Sequence, residues 1–358
     1  MKIAVYAICK NESKFVDRFY ESVKEADGIF VLDTGSTDDT VEKLKKYNIN
    51  VFEKKYDFFR FDVARNDSLA LIPDEYDICV CLDLDEVIEK GFKDKIIECF
   101  KDNTTRLRYN YNWSLDSNNN PIVNFYIEKI HLRHGYMWRH PVHEVLYKID
   151  GEEIIKTVDD ITVNHYPDNT KSRGSYLPLL ELSVKEDPTN DRNMHYLGRE
   201  YMYYHKYQEC IDTLIKHLNL KNATWKDERC ASMRFIARSY IALNRLDEAN
   251  MWLEKAIMEA PHLRDPYVEM MLLNYIKEEW DKIITNGNLA LKIEKNYKSY
   301  INESFSYNET IYDLLSIAYY YKNNKEKALE NVNKALEINH EDMRIIKNKE
   351  IINNMNNF

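Results

Sequence analysis

The chain has 358 residues, more than one domain usually holds and comfortable for two. Hydrophobic residues at 44% and charged residues at 31% exclude a disordered chain, and a net charge of −10 without a basic stripe argues against nucleic-acid binding. Acidity does not exclude phosphate ligands, because a metal ion or one arginine can supply the positive charge.

In chain order, Ile3–Ile8 is a buried-strand candidate. Ser13–Ala26 has helical spacing, with Phe15, Val16, Phe19 and Val23 on one side. Gly28–Leu32 reads as a second strand, ending at Asp33-Thr34-Gly35-Ser36-Thr37-Asp38. Thr37 or Asp38 can cap the next helix, which carries Val41, Leu44 and Tyr47. Ile49–Phe52 is a third strand, Ala64–Leu71 a short helix, and Ile78–Leu82 a fourth strand leading into Asp83-Leu84-Asp85-Glu86. Alternating strands and helices imply a mostly parallel sheet covered on both faces, with ligands beyond the carboxyl ends of its strands. Leu107–Trp113, Ile122–Ile130 and Ile161–Val163 are further strands, the first two joined by the turn at Asp116–Pro121.

From Lys171 the chain reads as helical and repeats. Leu197, Gly198 and Tyr201 correspond to Ile236, Ala237 and Tyr240 and to Leu315, Ser316 and Tyr319. This resembles the tetratricopeptide repeat, a helical hairpin of about 34 residues. The best copy starts near Cys230, the copy around Trp280 is degenerate, and residues 294–308 look like an insertion. The expected division is 1–168 for the α/β domain, 169–190 for a linker helix and 191–350 for the repeats.

None of the six cysteines stands in C-x-x-C spacing, and the short apolar run Met1–Cys9 suits a strand better than a signal peptide. No stretch approaches the roughly 18–20 apolar residues of a membrane span. The expected location is the cytoplasm.

Asp83 and Asp85, one residue apart at a strand end, can share a hard divalent cation that in turn holds a diphosphate. With Lys10-Asn11-Glu12, the string from Val31 to Thr40, Ala64-Arg65-Asn66, Leu82–Glu86, His143-Glu144 and Asn164-His165, the chain resembles the family 2 glycosyltransferases that carry C-terminal tetratricopeptide repeats. The resemblance implies a GT-A type nucleotide-sugar-binding α/β domain and inverting sugar transfer. It implies that Asp33 contacts the uracil or ribose of the donor, with Glu12 beside it. Arg65 is a candidate for a phosphate contact, the alternative being a salt bridge to Asp62 or Asp67. Asp85 would bind Mn²⁺ or Mg²⁺ directly, and Asp83 would bind ribose or reach the metal through water. His143 and His165 are the two candidates for a third metal ligand. Glu144 is the candidate general base, with Glu86 as the fallback. Tyr136, Trp138 and Trp113 are candidates for a stacking wall.

The leading expectation is therefore a UDP-sugar-dependent transferase acting on a protein, peptide or glycan acceptor, with a homodimer through the repeats as one option. One competing reading is a non-catalytic repeat scaffold with a degenerate transferase domain. Another is a nucleotidyltransferase, which would show a glycine-rich basic loop after the first strand, where this chain has Cys9-Lys10-Asn11-Glu12.

Overall fold

The computed structural model describes residues 1–168, 170, 174, 176–294 and 299–355. The chain divides into two compact units, the first principally Met1–Ser183. The first is a mixed α/β sheet with helices, and the second is all-helical.

In the first unit every residue of β1 (Ile3–Cys9) is buried, as a continuous apolar run demands when both faces of a strand are covered. Ile3, Val5 and Ala7 pack on one side with Phe19 and Val23 of α1 (Val16–Val23). Ala4 and Tyr6 face the other side, against Phe30 of β2 (Gly28–Asp33). Then follow α2 (Thr40–Lys46), β3 (Asn50–Glu53), α3 (Phe61–Ala70) and β4 (Ile78–Cys81). The N-cap of α2 is Asp39, whose side chain makes no capping bond, rather than Thr37 or Asp38; Asp38 instead accepts from the amide of Thr40 at 3.0 Å, closing the turn before the helix.

Beyond β4 lie β5 (Glu86–Ile88), α4 (Phe92–Cys99), β6 (Arg106–Leu115), β7 (Pro121–Leu132), β8 (Tyr136–Arg139), β9 (Val145–Lys148) and β10 (Ile155–His165). Among the described residues the main sheet has the order β3-β2-β1-β4-β7-β6-β10-β5, and β8 pairs with β9 separately. β1, β2, β3 and β4 are parallel. β7 is antiparallel to both β4 and β6, while β10 is parallel to β6. Two reversals restore direction, so β6 and β10 run with β1, β2 and β4. The carboxyl ends of all five strands therefore share one edge of the sheet. That edge carries Glu12, Asp33, Asp83, Asp85, Trp113 and His165.

Three elements were not anticipated from the sequence. β5 follows the acidic motif at once, with α1 packed against it, and α4 lies against β10. The hairpin of β8 and β9 contributes Trp138 and Leu146 to the core on the Tyr6 side. A directed polar chain crosses that core. His131 Nδ1 lies 2.7 Å from the carbonyl of Leu132, which fixes the proton there. Its Nε2 then accepts from the Tyr6 hydroxyl at 2.9 Å, and Tyr6 accepts from Trp138 Nε1 at 2.9 Å. Burial pushes the His131 pKa down to about 3, the positive charges of Arg106 and Arg133 acting the same way.

The contact division falls after Ser183, inside α5 (Tyr176–Glu186), rather than at 168. Tyr176 packs edge-on to Phe61 and His143, which ties the start of this helix to the first unit. The start of the expected linker, at 169, lies outside the described residues.

The second unit stacks helical hairpins: α6 (Asp191–Tyr203) with α7 (Tyr207–Leu218), α8 (Lys226–Ala242) with α9 (Leu246–Glu259), α10 (Asp265–Ile276) with α11 (Trp280–Ala290), and α12 (Thr310–Tyr321) with α13 (Lys325–Ile338). α14 (Met343–Asn353) follows. Each first helix ends in the same way. His205, Asn244, Glu278 and Asn323 take left-handed φ of 55–58°. The next amide in each case reaches back five residues, as from Lys206 to the carbonyl of Tyr201 at 2.9 Å and from Asn324 to that of Tyr319 at 2.9 Å. This is the Schellman closure of a helix. The copy around Trp280, degenerate in sequence, shares it. Of the expected insertion, 295–298 lie outside the described residues. Its later part is held by Arg234, which donates to the carbonyl of Ile301 at 3.1 Å, and by Arg238, which pairs with Glu303.

Two predictions follow from this packing. A Cβ at Gly198 would lie 2.3 Å from Leu214 Cδ2, so Gly198→Val overpacks the α6/α7 contact and should cost about 1–3 kcal/mol in urea denaturation. His195 is also buried, and burial lowers its pKa to about 3. The folded protein keeps both His131 and His195 neutral down to about pH 3, while the unfolded chain takes up protons below the ordinary histidine value of 6.5. Stability is then whole above pH 6.5 and falls as the pH drops towards 3, by about 1.4 kcal/mol per pH unit for each histidine. Denaturation measured at stepped pH should show this slope, and His131→Gln should reduce it.

Candidate active site

The sequence places two acids after β4, and the fold surrounds the first of them with buried cations. Asp83 is gripped by Arg65 of α3, with Nη1–Oδ1 at 2.7 Å and Nη2–Oδ2 at 2.9 Å. Lys129 of β7 adds a second positive charge 3.7 Å from Asp83. Burial alone would raise the Asp83 pKa, but Arg65 and Lys129 outweigh it and hold the carboxyl well below the usual aspartate range. Burial likewise disfavours the charge on Arg65, and Asp83 and Glu144 more than offset it.

Glu86 turns inward. It is 2% exposed and accepts from Lys129 Nζ at 2.9 Å, Tyr111 Oη at 2.7 Å and the amide of Asp83 at 3.0 Å. Three donors commit it to shaping the loop, which speaks against its use as the fallback base. The sequence reading missed Lys129 and Tyr111. The signal was weak, because Lys129 stands beside Glu128 in the half-polar stretch Ile127–Leu132, and only the pairing of β7 with β4 brings it to the acids.

Asp85 points elsewhere. The antiparallel register of β5 with β10 sets Glu86 opposite His165, and the Tyr166 amide donates to the Asp85 carbonyl at 2.9 Å. His165 Nε2 thus lies 3.4 Å from Asp85 Oδ2. Its Nδ1 is 3.0 Å from the carbonyl of Trp113, which fixes the proton on Nδ1 and turns Nε2 towards Asp85. Burial disfavours a charged His165, yet the hydrogen bond and charge of Asp85 raise its pKa. The Trp113 ring stacks on the imidazole at 4.6 Å and stays 46% exposed. Of the three aromatics expected to form a wall, Trp113 alone stands open, while Tyr136 and Trp138 belong to the core.

Asp33 closes its own loop. Oδ1 accepts from the amides of Gly35 at 2.9 Å and Ser36 at 2.8 Å, and Oδ2 accepts from the Ser36 hydroxyl. Gly35 sits at φ 108°, a conformation that favours glycine. The Glu12 amide donates to Thr40 Oγ1 at 2.8 Å, which joins the turn after β1 to the start of α2.

Glu144 lies in the β8–β9 loop and meets Arg65, its Oε1 at 3.0 Å from Nε. Arg139, five residues earlier, instead covers the Tyr147 ring. Arg65 in turn pairs with neither Asp62 nor Asp67: Asp62 takes Arg60, and Asp67 takes Lys54 and Tyr56. His143, two residues after Pro141, packs edge-on to Tyr176, and the histidine against Asp85 is His165. Among the described residues no three His, Cys, Asp or Glu side chains form a metal-holding group.

Residues 4–143 match the model of Glycosyl transferase family 2. This stretch is a family 2 glycosyl transferase domain. Glycosyl transfer is the activity that the family implies, and a nucleotide-sugar donor and an acceptor go with it. No curated protein matches the chain. Similar solved structures lie over the helical half. YrrB, a TPR protein with an unusual peptide-binding site, is 16% identical, over 49% of this chain and 83% of that one, with a TM-score of 0.37. TTC0263, a thermophilic TPR protein in Thermus thermophilus, is 18% identical over 51% and 91%, with a TM-score of 0.37. MamA is 19% identical over 48% and 87%, with a TM-score of 0.38. Among the described residues no helix is long and apolar enough to cross a membrane.

The transferase domain's buried charges give a direct prediction. Lys129→Met removes the cation nearest Glu86 and leaves a buried carboxylate with only neutral donors. The variant should lose about 3–5 kcal/mol of stability, measured by denaturant titration.

Proposed function

We propose that the protein is a cytoplasmic, inverting glycosyltransferase that uses Mn²⁺ or Mg²⁺ and a UDP-sugar, with a protein, peptide or glycan as acceptor. The observation that carries this reading is the pairing of Asp85 with His165 at the carboxyl edge of the sheet. A histidine that donates its other ring N–H to a backbone carbonyl, with the free nitrogen aimed at a carboxylate, is the usual support for a metal ligand. One carboxylate oxygen and one imidazole nitrogen fit Mn²⁺ and leave positions for diphosphate oxygens and water. Such an ion supplies positive charge to the departing nucleoside diphosphate.

The chain's own residues divide the remaining work. Asp83, fixed by Arg65 and Lys129, faces the donor side as an acceptor for a ribose hydroxyl. The Asp33 turn and Glu12 border the nucleoside end. Glu144 takes the proton from the acceptor hydroxyl as it attacks the anomeric carbon on the face opposite the diphosphate. Trp113, stacked on His165 and open to solvent, offers a flat apolar surface to a sugar ring. The stacked hairpins of the second unit suit an extended chain, which favours a polypeptide acceptor. Six buried cysteine thiols accord with a reducing compartment.

Calorimetry with UDP and a panel of UDP-sugars, with Mn²⁺ or EDTA, tests the donor site. Asp85→Asn and His165→Ala should each weaken metal-dependent binding by about 10–100-fold. Glu144→Gln should keep donor affinity and lose about 10²–10⁴-fold in turnover. A folded wild type that binds no donor under either condition would sink the reading and favour a repeat scaffold.

A further inference from the structure

Helix α3 carries two adjacent side chains whose partners lie far along the chain. Arg65 is 3% exposed, and its guanidinium is spent on protein groups: both Asp83 oxygens, Glu144 Oε1 and, at 3.5 Å, Cys81 Sγ. The Trp138 ring lies 5.7 Å from its central carbon. Asn66 behaves like a residue of a neighbouring strand. Its Nδ2 donates to the Trp138 carbonyl at 2.9 Å, and its Oδ1 accepts from the Trp138 amide at 2.8 Å. At the start of the helix the Phe61 amide donates to the Pro141 carbonyl at 2.9 Å.

These three attachments converge on β8 and the loop that joins it to β9. That loop holds two non-glycine residues in left-handed backbone, His140 at φ 83° and His143 at φ 52°. Such conformations persist only when the surroundings impose them. The next residue is Glu144.

We infer that Arg65 is a positioning residue that locks Glu144 to Asp83 across the site, with Asn66 seating the loop, and that Arg65 does not itself bind the donor. The inference rests on the reading of Glu144 as the base. A planar fork that grips Asp83 with two nitrogens and Glu144 with a third sets both carboxylates in one frame. Lysine, a single point donor, cannot hold both.

Arg65→Met strands two carboxylates and is a poor test, because a loss of folding would mask its effect; Arg65→Lys keeps the charge. UDP affinity with Mn²⁺ is read by calorimetry, and turnover as UDP release from UDP-glucose. Because Lys129 still holds Asp83, the expected result for Arg65→Lys is a kcat lower by about 30-fold or more, with KM and UDP affinity within about threefold. In the Glu144→Gln background the same change should cost less than about threefold, because its action passes through Glu144. UDP affinity that falls in step with kcat would instead make Arg65 a donor ligand and overturn the inference, as would a full, multiplicative loss in the double variant.

Should Glu144→Gln keep wild-type turnover, or UDP-glucose not turn over at all, the base assignment and the positioning are separated by amide exchange without ligand. Exchange at residues 142–145 should quicken by about tenfold in Arg65→Lys while β1 and β4 stay protected. Unchanged exchange there overturns the positioning role.

Discussion

The first unit depends on charges held out of water at the end of β4. Arg65 and Lys129 face Asp83, Glu86 and Glu144, and each of these cations bridges two acids. Buried ions are tolerated only when such pairing and hydrogen bonding replace their hydration. That requirement explains why the loop after β4 folds back into β5, why Glu86 faces the core, and why the β8–β9 hairpin docks on α3. Asp85 and His165 stand outside the array and pair with each other.

The sheet supplies the geography. Four parallel strands alone would give an edge bordered by Glu12, Asp33 and the acids after β4. Insertion of the antiparallel β7 lets β6 and β10 rejoin the common direction. Trp113 and His165 thereby arrive at the same edge from residues far down the chain. The pair of Asp85 and His165 is thus assembled by strand register, since the pairing of β10 with β5 brings His165 beside Asp85.

The continuous apolar runs of β1, β2 and β4 were legible in the sequence, because burial on both faces leaves an unbroken hydrophobic signature. So was the acidic motif at the end of β4. β5 was hidden because three residues directly after the acids carry too little periodicity. The β8–β9 hairpin was hidden because tryptophan, arginine, histidine and proline follow no alternation, its order coming from Asn66 and Phe61. The partners of Arg65 could not be read, since Asp83 and Glu144 are distant in sequence and nearer acids stood on either side. Between His143 and His165 the sequence offered no discrimination; strand register brings His165 to Asp85.

The four left-handed closures of the second unit bear on how this half of the chain can change. Each bend is closed by the same backbone bond, and histidine, asparagine and glutamate all occur at it, so the closure outweighs the steric cost that a left-handed backbone carries for the bulkier side chains. Length can then vary between hairpins while each hairpin keeps its own form. The stretch from Glu278 to Asn323, which contains the longest connection, anchored in its later part by Arg234 and Arg238 of α8, is such a place. The array is modular in that sense: a lineage can lengthen one joint without redrawing the others.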